Sequence, residues 1–174
     1  LDLGTDTLAL RKDAVSRGTA RLVDFVRRSG VAASDPGVTS AAGERAPAVV
    51  GFVRFSFAAH PDAREWKKRF ADEEEQIRFL FDAARLEARF DLFERFCLPS
   101  LRCQSDPEFR VFILASTRMT AAYRARLAAL VAEDARIEVV FRDPVKVNEV
   151  CFDLLNSYGA ARAEVVCQFR LDDD

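Results

Sequence analysis

Apolar positions along the chain follow two rhythms, and the change between them divides the sequence. Over residues 7–29, Val15, Leu22, Phe25 and Val26 recur at helical spacing behind polar Thr5 and Thr7, which predicts an N-terminal helix that Gly30 stops. Residues 31–48 are small, polar and punctuated by Pro36, Gly37, Gly43 and Pro47, the composition of a flexible linker. From residue 49 onward, short apolar runs rich in Val, Ile and Phe alternate with longer helix-like stretches. Strands are predicted at 49–57, 109–116, 137–143 and 165–171, and their near-continuous apolarity suits a parallel-rich sheet covered on both faces.

Between the first two strands, Asp82 is placed to cap a helix that carries Leu86, Phe90, Phe93, Cys97 and Leu101 on one face, with Pro99 expected to kink it. Residues 120–132, capped by Thr120, turn Tyr123, Leu127, Leu130 and Val131 inward, and residues 148–158 do the same with Phe152, Leu154 and Leu155. This order predicts an α/β fold class over 49–174, preceded by a helical segment at 1–30 and the linker.

Composition narrows the function classes. Apolar residues make up 49% and charged residues 31% of the 174 positions, enough to bury a core. Acids and bases are interspersed, with a formal net charge of −2, which argues against a nucleic-acid partner bound through bulk positive charge. The apolar runs near residues 46–53 and 111–115 are interrupted by Arg54 and Arg110, far short of the roughly 20 residues a membrane-spanning helix needs, so no transmembrane segment is expected. Cys97, Cys103, Cys151 and Cys167 lack the paired spacing of a zinc site or a small disulfide scaffold; reduced, buried thiols and a cytoplasmic location are the expectation. A single histidine, His60, excludes multi-histidine metal sites.

The most informative residues close the chain. An apolar strand runs directly into Asp172, Asp173 and Asp174. Open α/β sheets bind ligands at the carboxyl ends of their strands, and in an extended arrangement Asp172 and Asp174 fall on the same side, where they can share one divalent ion. Mg²⁺ or Mn²⁺ prefers oxygen ligands and leaves room for substrate phosphates and water. A solvated terminus is the bland alternative, but a parallel strand needs a following crossover to cover its face and none appears. The expectation is therefore a sequence that breaks off inside a larger domain.

The stretch VVGFVRFSF, followed by RLEARFDLFERFCLPSLRCQSDPEFRVFILAS and then FRLDDD, resembles bacterial rhamnosyltransferases, a glycosyltransferase family with the GT-A type of nucleotide-sugar-binding fold. The resemblance covers 49–174 and includes an Asp-x-Asp metal motif with its preceding Arg-Leu. It implies that Asp172 and Asp174 hold Mg²⁺ or Mn²⁺ against the diphosphate of a nucleoside-diphosphate sugar, with Asp173 next to ribose or sugar. It also implies that Arg54, Phe55 and Ser56 border the nucleotide-sugar pocket from the first strand, and Ser116 from the second. A saccharide or other hydroxyl acceptor and a general base are expected beyond Asp174. The 174-residue chain alone is then expected to be inactive and to self-associate through the apolar surface left uncovered. Many related sugar-binding folds carry an acidic residue after the second strand, where Ala115-Ser116-Thr117 stands here.

Three other readings compete. Gly51-Phe52-Val53-Arg54-Phe55 matches the later part of an RNA-recognition strand signature, although Ala48, Val49 and Val50 replace its basic residue, glycine and aromatic. Metal-dependent phosphoryl transfer also places aspartates at a strand end, but no phosphate-cradling glycine motif is present. A non-catalytic interaction or scaffold domain with an acidic tip is the third. The acidic run at 72–75 reads as a solvated helix start and the basic residues at 64–69 as a solvated face. Arg85 and Arg89, one helical turn apart, read as pointing outward, with phosphate contact the alternative if their face turns in.

Overall fold

The computed structural model describes residues 48–62, 70–158 and 166–172. The predicted helix at 7–29, the linker through residue 47, the basic residues at 64–69, and Asp173 and Asp174 lie outside them. Four strands, β1 (Ala48–Arg54), β2 (Phe109–Ser116), β3 (Ile137–Arg142) and β4 (Val166–Asp172), form one sheet in the order β3-β2-β1-β4. Every neighbouring pair is parallel. The connections carry α1 (Glu73–Leu80), α2 (Ala83–Leu92), α3 (Leu98–Arg102), α4 (Ala121–Val131) and α5 (Val147–Tyr158). This is an α/β fold of the Rossmann-like kind, its sheet flanked by helices.

Alternation along the strands feeds two cores. Val49, Val53, Val111, Ile113 and Ala115 pack with residues of α2, α3 and α4, whereas Val50, Phe52, Phe112 and Leu114 pack with Val150 and Cys151 of α5. Burying each Val, Ile, Leu or Phe among these contributes about 1.5–3 kcal/mol, so the sheet is stabilised from both faces. Phe55 sits among Phe90 and Phe93, at ring-centre distances of 4.8 and 5.4 Å, in the first core. Phe52 and Phe55 are both fully buried, so the rings that suggested RNA stacking are packing residues.

Side-chain caps start α1 and α2, whereas Thr120, at the cap position of α4, makes no side-chain cap bond. Asp72 accepts from the Glu75 amide and Glu75 reaches back to the Ala71 amide, so the acidic run begins α1. Asp82 accepts from the Arg85 amide at the start of α2. Between α2 and α3 the chain widens into a π-helical turn at Phe93–Cys97, in which the Leu98 amide donates to the Phe93 carbonyl. Pro99 follows at the start of α3 and has no amide to donate; the wider turn carries the helical path up to it.

Two inward and outward assignments are corrected. Phe152 is 64% exposed, because the buried stripe of α5 runs through Val150 and Cys151, two positions and one position earlier. Arg89 is only 7% exposed, with its guanidinium 6.0 Å from the Phe55 ring centre, so it points into the protein rather than outward. Arg85 is half-buried, its guanidinium over the Phe79 ring at 4.6 Å. The four cysteines form no disulfide; Cys151 is buried, Cys97 and Cys167 half-buried and Cys103 exposed. No helix among the described residues is long and apolar enough to cross a membrane.

Strand order sets where a ligand can enter. From β1 the chain proceeds outward to β2 and β3, then returns to the other side of β1 to lay down β4. The order reverses between β1 and β4, and in open parallel sheets the crevice outside the carboxyl ends at such a reversal is the ligand-binding position.

Candidate functional site

The carboxyl ends of β1 and β4 meet in register. Arg54, the last residue of β1, pairs with Asp172, the last residue of β4, and Phe52 pairs with Arg170 two residues earlier. The apolar run VVCQFRL thus delivers its terminal aspartate to the mouth of the first strand. Arg54 is exposed there.

Directly behind this edge, between the sheet and α5, lies a cavity of about 150 Å³. Phe52, Leu114, Val147 and Leu171 supply apolar walls; Arg54, Arg170 and Cys151 supply the polar groups. Asn148 orients Arg170, whose Nη1 donates to its Oδ1 at 3.1 Å. Burial pushes the Cys151 thiol pKa up, against the pull of Arg170 and Arg54, so the sulfur is a neutral thiol at neutral pH.

After Arg54 the backbone leaves the strand abruptly. Ser56 adopts φ 46°, in the left-handed region that L side chains rarely enter, and is 3% exposed, its hydroxyl without a hydrogen-bond partner among the described residues. The loop then runs beside the segment before α5, joined by a bridge between Ala59 and Val145. In that loop His60 Nδ1 accepts from the Asp62 amide at 3.1 Å.

The residues singled out from sequence separate into groups. Arg54 and Asp172 stand together at the crevice, with Ser56 two residues beyond Arg54 along the chain. Phe55 is turned into the aromatic core, and its amide donates to the Leu114 carbonyl. Ser116 is fully buried at the end of β2, where its hydroxyl accepts from the Arg118 amide at 3.1 Å and closes the following turn. That turn is further tied by Thr117 to Asp143, and by Arg118 to Glu73 of α1. Asp173 and Asp174 are outside the described residues, among which no group of three His, Cys, Asp or Glu side chains gathers to hold a metal ion.

Residues 48–174 match the family model described as "Putative rhamnosyl transferase". The chain belongs to this family. No curated protein and no solved structure matches it. For this rhamnosyl transferase family member, sequence reasoning missed Arg170, Asn148 and Cys151 at the cavity. Arg170 was within reach, since a two-residue period places it on the same face of an extended strand as position 172. Asn148 and Cys151 come from a helix whose orientation only the packed structure shows.

Proposed function

We propose that this chain carries the donor-binding half of a glycosyltransferase that moves a sugar, rhamnosyl by the family's description, from a nucleoside diphosphate to a hydroxyl acceptor. The observation that supports it most is the register of Arg54 with Asp172 where the strand order reverses.

Asp172 and Asp174 fit Mg²⁺ or Mn²⁺ by donor chemistry: two hard carboxylates, two residues apart, starting at a strand end. Bound there, the ion would supply electrostatic stabilisation of the charge that builds on the departing diphosphate. Asp173 would lie against ribose or sugar. Arg54 adds a positive group at the same edge, and Ser56 offers a hydroxyl that no group among the described residues uses. Such groups accelerate the reaction only to the extent that they hold the diphosphate more tightly as it leaves than before.

A panel of nucleoside-diphosphate sugars, scored by protection against thermal unfolding in the presence of Mg²⁺, tests this reading. At least one member should raise Tm, and Asp172→Asn should abolish the rise. No protection by any member would overturn it.

A further inference from the structure

We propose that the cavity between the β1–β4 edge and α5 receives the C6 methyl end of the transferred sugar, and that Phe52, Leu114, Val147 and Cys151 select a 6-deoxyhexose over the hexose that carries a hydroxyl there. The inference rests on the donor reading and deepens it by naming the side chains that read the sugar.

Position is the first argument. Alternation along β4 puts Arg170 and position 172 on the sheet face that meets α5, and the cavity lies on that face. In the donor reading the diphosphate is held at Asp172, and the sugar is bonded directly to the diphosphate. A cavity two residues back along the strand, about 7 Å away, is within reach of a sugar ring.

Size and grading are the second. Pockets that enclose a whole small ligand run to about 300–1,000 Å³, so about 150 Å³ admits one end of a sugar and leaves the nucleotide outside. Phe52, Leu114 and Cys151 are almost wholly buried, Val147 is half-buried and both arginines are exposed. The cavity thus passes from a polar mouth to an apolar floor.

Chemistry is the third. Rhamnose ends in a methyl group where the parent hexose has a hydroxymethyl, so one end of it is apolar while its ring hydroxyls are polar. At the mouth, the guanidinium groups of Arg54 and Arg170 suit those ring hydroxyls, and a guanidinium that also pairs with a carboxylate still donates to a hydroxyl oxygen. Asn148 orients Arg170 for this, its Oδ1 accepting from Nη1 at 3.1 Å. At the floor, the side chains of Phe52, Leu114 and Val147 offer no hydrogen bond, and Cys151 offers only a weak thiol. A methyl group gains packing contacts there, whereas a hydroxyl loses water and finds no equal partner.

The test compares, by calorimetry with Mg²⁺, a rhamnosyl nucleoside diphosphate and its 6-hydroxy counterpart of the same ring configuration. Wild type should bind the 6-deoxy sugar about tenfold to a hundredfold more tightly, the range an apolar pocket gives for one small group. Val147 and Cys151 stand four residues apart on one face of α5. Val147→Thr and Cys151→Ser each set a hydroxyl in the wall at nearly unchanged volume, and each should cut the preference several-fold. A merely structural loss would weaken both sugars alike and leave the ratio unchanged. Val147 is half-buried, so its variant keeps the test intact even where Cys151→Ser unfolds the protein. Equal or reversed wild-type affinities, or a preference that neither variant moves, overturn the cavity's role and leave the donor reading standing. Failure of both nucleotide sugars to bind with Mg²⁺ overturns the donor reading and the cavity's role with it.

Discussion

Gly51 of β1 and Phe169 of β4 are register partners, and the Phe169 ring lies across the space a side chain at Gly51 would need. A Cβ built on Gly51 would stand 2.3 Å from Phe169 Cζ and within 2.9 Å of two further ring atoms. Phe169 is thereby buried in the core against β1, and the register that brings Asp172 beside Arg54 is fixed three residues further on.

Gly51→Ala is therefore expected to overpack the strand pair and destabilise the protein by about 1–3 kcal/mol. Thermal unfolding should show a Tm several degrees lower, with donor protection reduced as β4 shifts. An unchanged Tm would show that the ring is free to move aside.

Ser56 carries strain that glycine would relieve. A left-handed conformation costs an L residue about 1–2 kcal/mol, and an unpaired buried hydroxyl adds about 1–3 kcal/mol. The greater freedom of glycine in the unfolded chain takes back about 0.5–1 kcal/mol. Ser56→Gly should then stabilise by about 1 kcal/mol or more, read as a higher urea midpoint, while weakening donor binding. A lower midpoint would contradict the strain argument.

Acid should find a specific weak point between α4 and β3. Arg136 grips Asp134 through Nε and Nη2 at 2.9 and 2.8 Å, and its amide adds a third bond at 3.1 Å. The guanidinium bonds, above all, hold the Asp134 carboxyl below the usual aspartate range. Because the folded value is depressed, its contribution is whole above the ordinary pKa of about 3.9 and disappears as pH falls through the folded value. The stability gap between wild type and Asp134→Asn should be constant near neutrality and close below about pH 4, as urea unfolding at each pH would show. Parallel curves down to about pH 2 would contradict this.

The strands were readable from sequence because buried parallel strands are uniformly apolar, and β2 runs over Phe109–Ser116 as the pattern requires. The first strand stops at Arg54, short of residue 57, because Ser56 turns the backbone left-handed with no glycine to signal it. Phe152 misled through its size. The stripe Val147, Val150, Cys151, Leu154, Leu155 and Tyr158 keeps the helical period without it. Arg89 misled through its charge: a long side chain can bury its stem along an apolar surface, as it does beside Phe55. The edge itself was legible only in part. Asp172 announces itself in an acidic triplet, whereas its pairing with Arg54 depends on which strand lies beside β4, and that is a property of the sheet order.

The role assigned to the closing aspartates is tested most directly by calorimetric titration of a nucleoside-diphosphate sugar, with Mg²⁺ or Mn²⁺ and then with chelator, on wild type and Asp172→Ala. The account predicts that the metal tightens wild-type binding about tenfold or more, roughly 1.4 kcal/mol per decade, and leaves the variant unchanged. Equal wild-type affinity with metal and with chelator would contradict it.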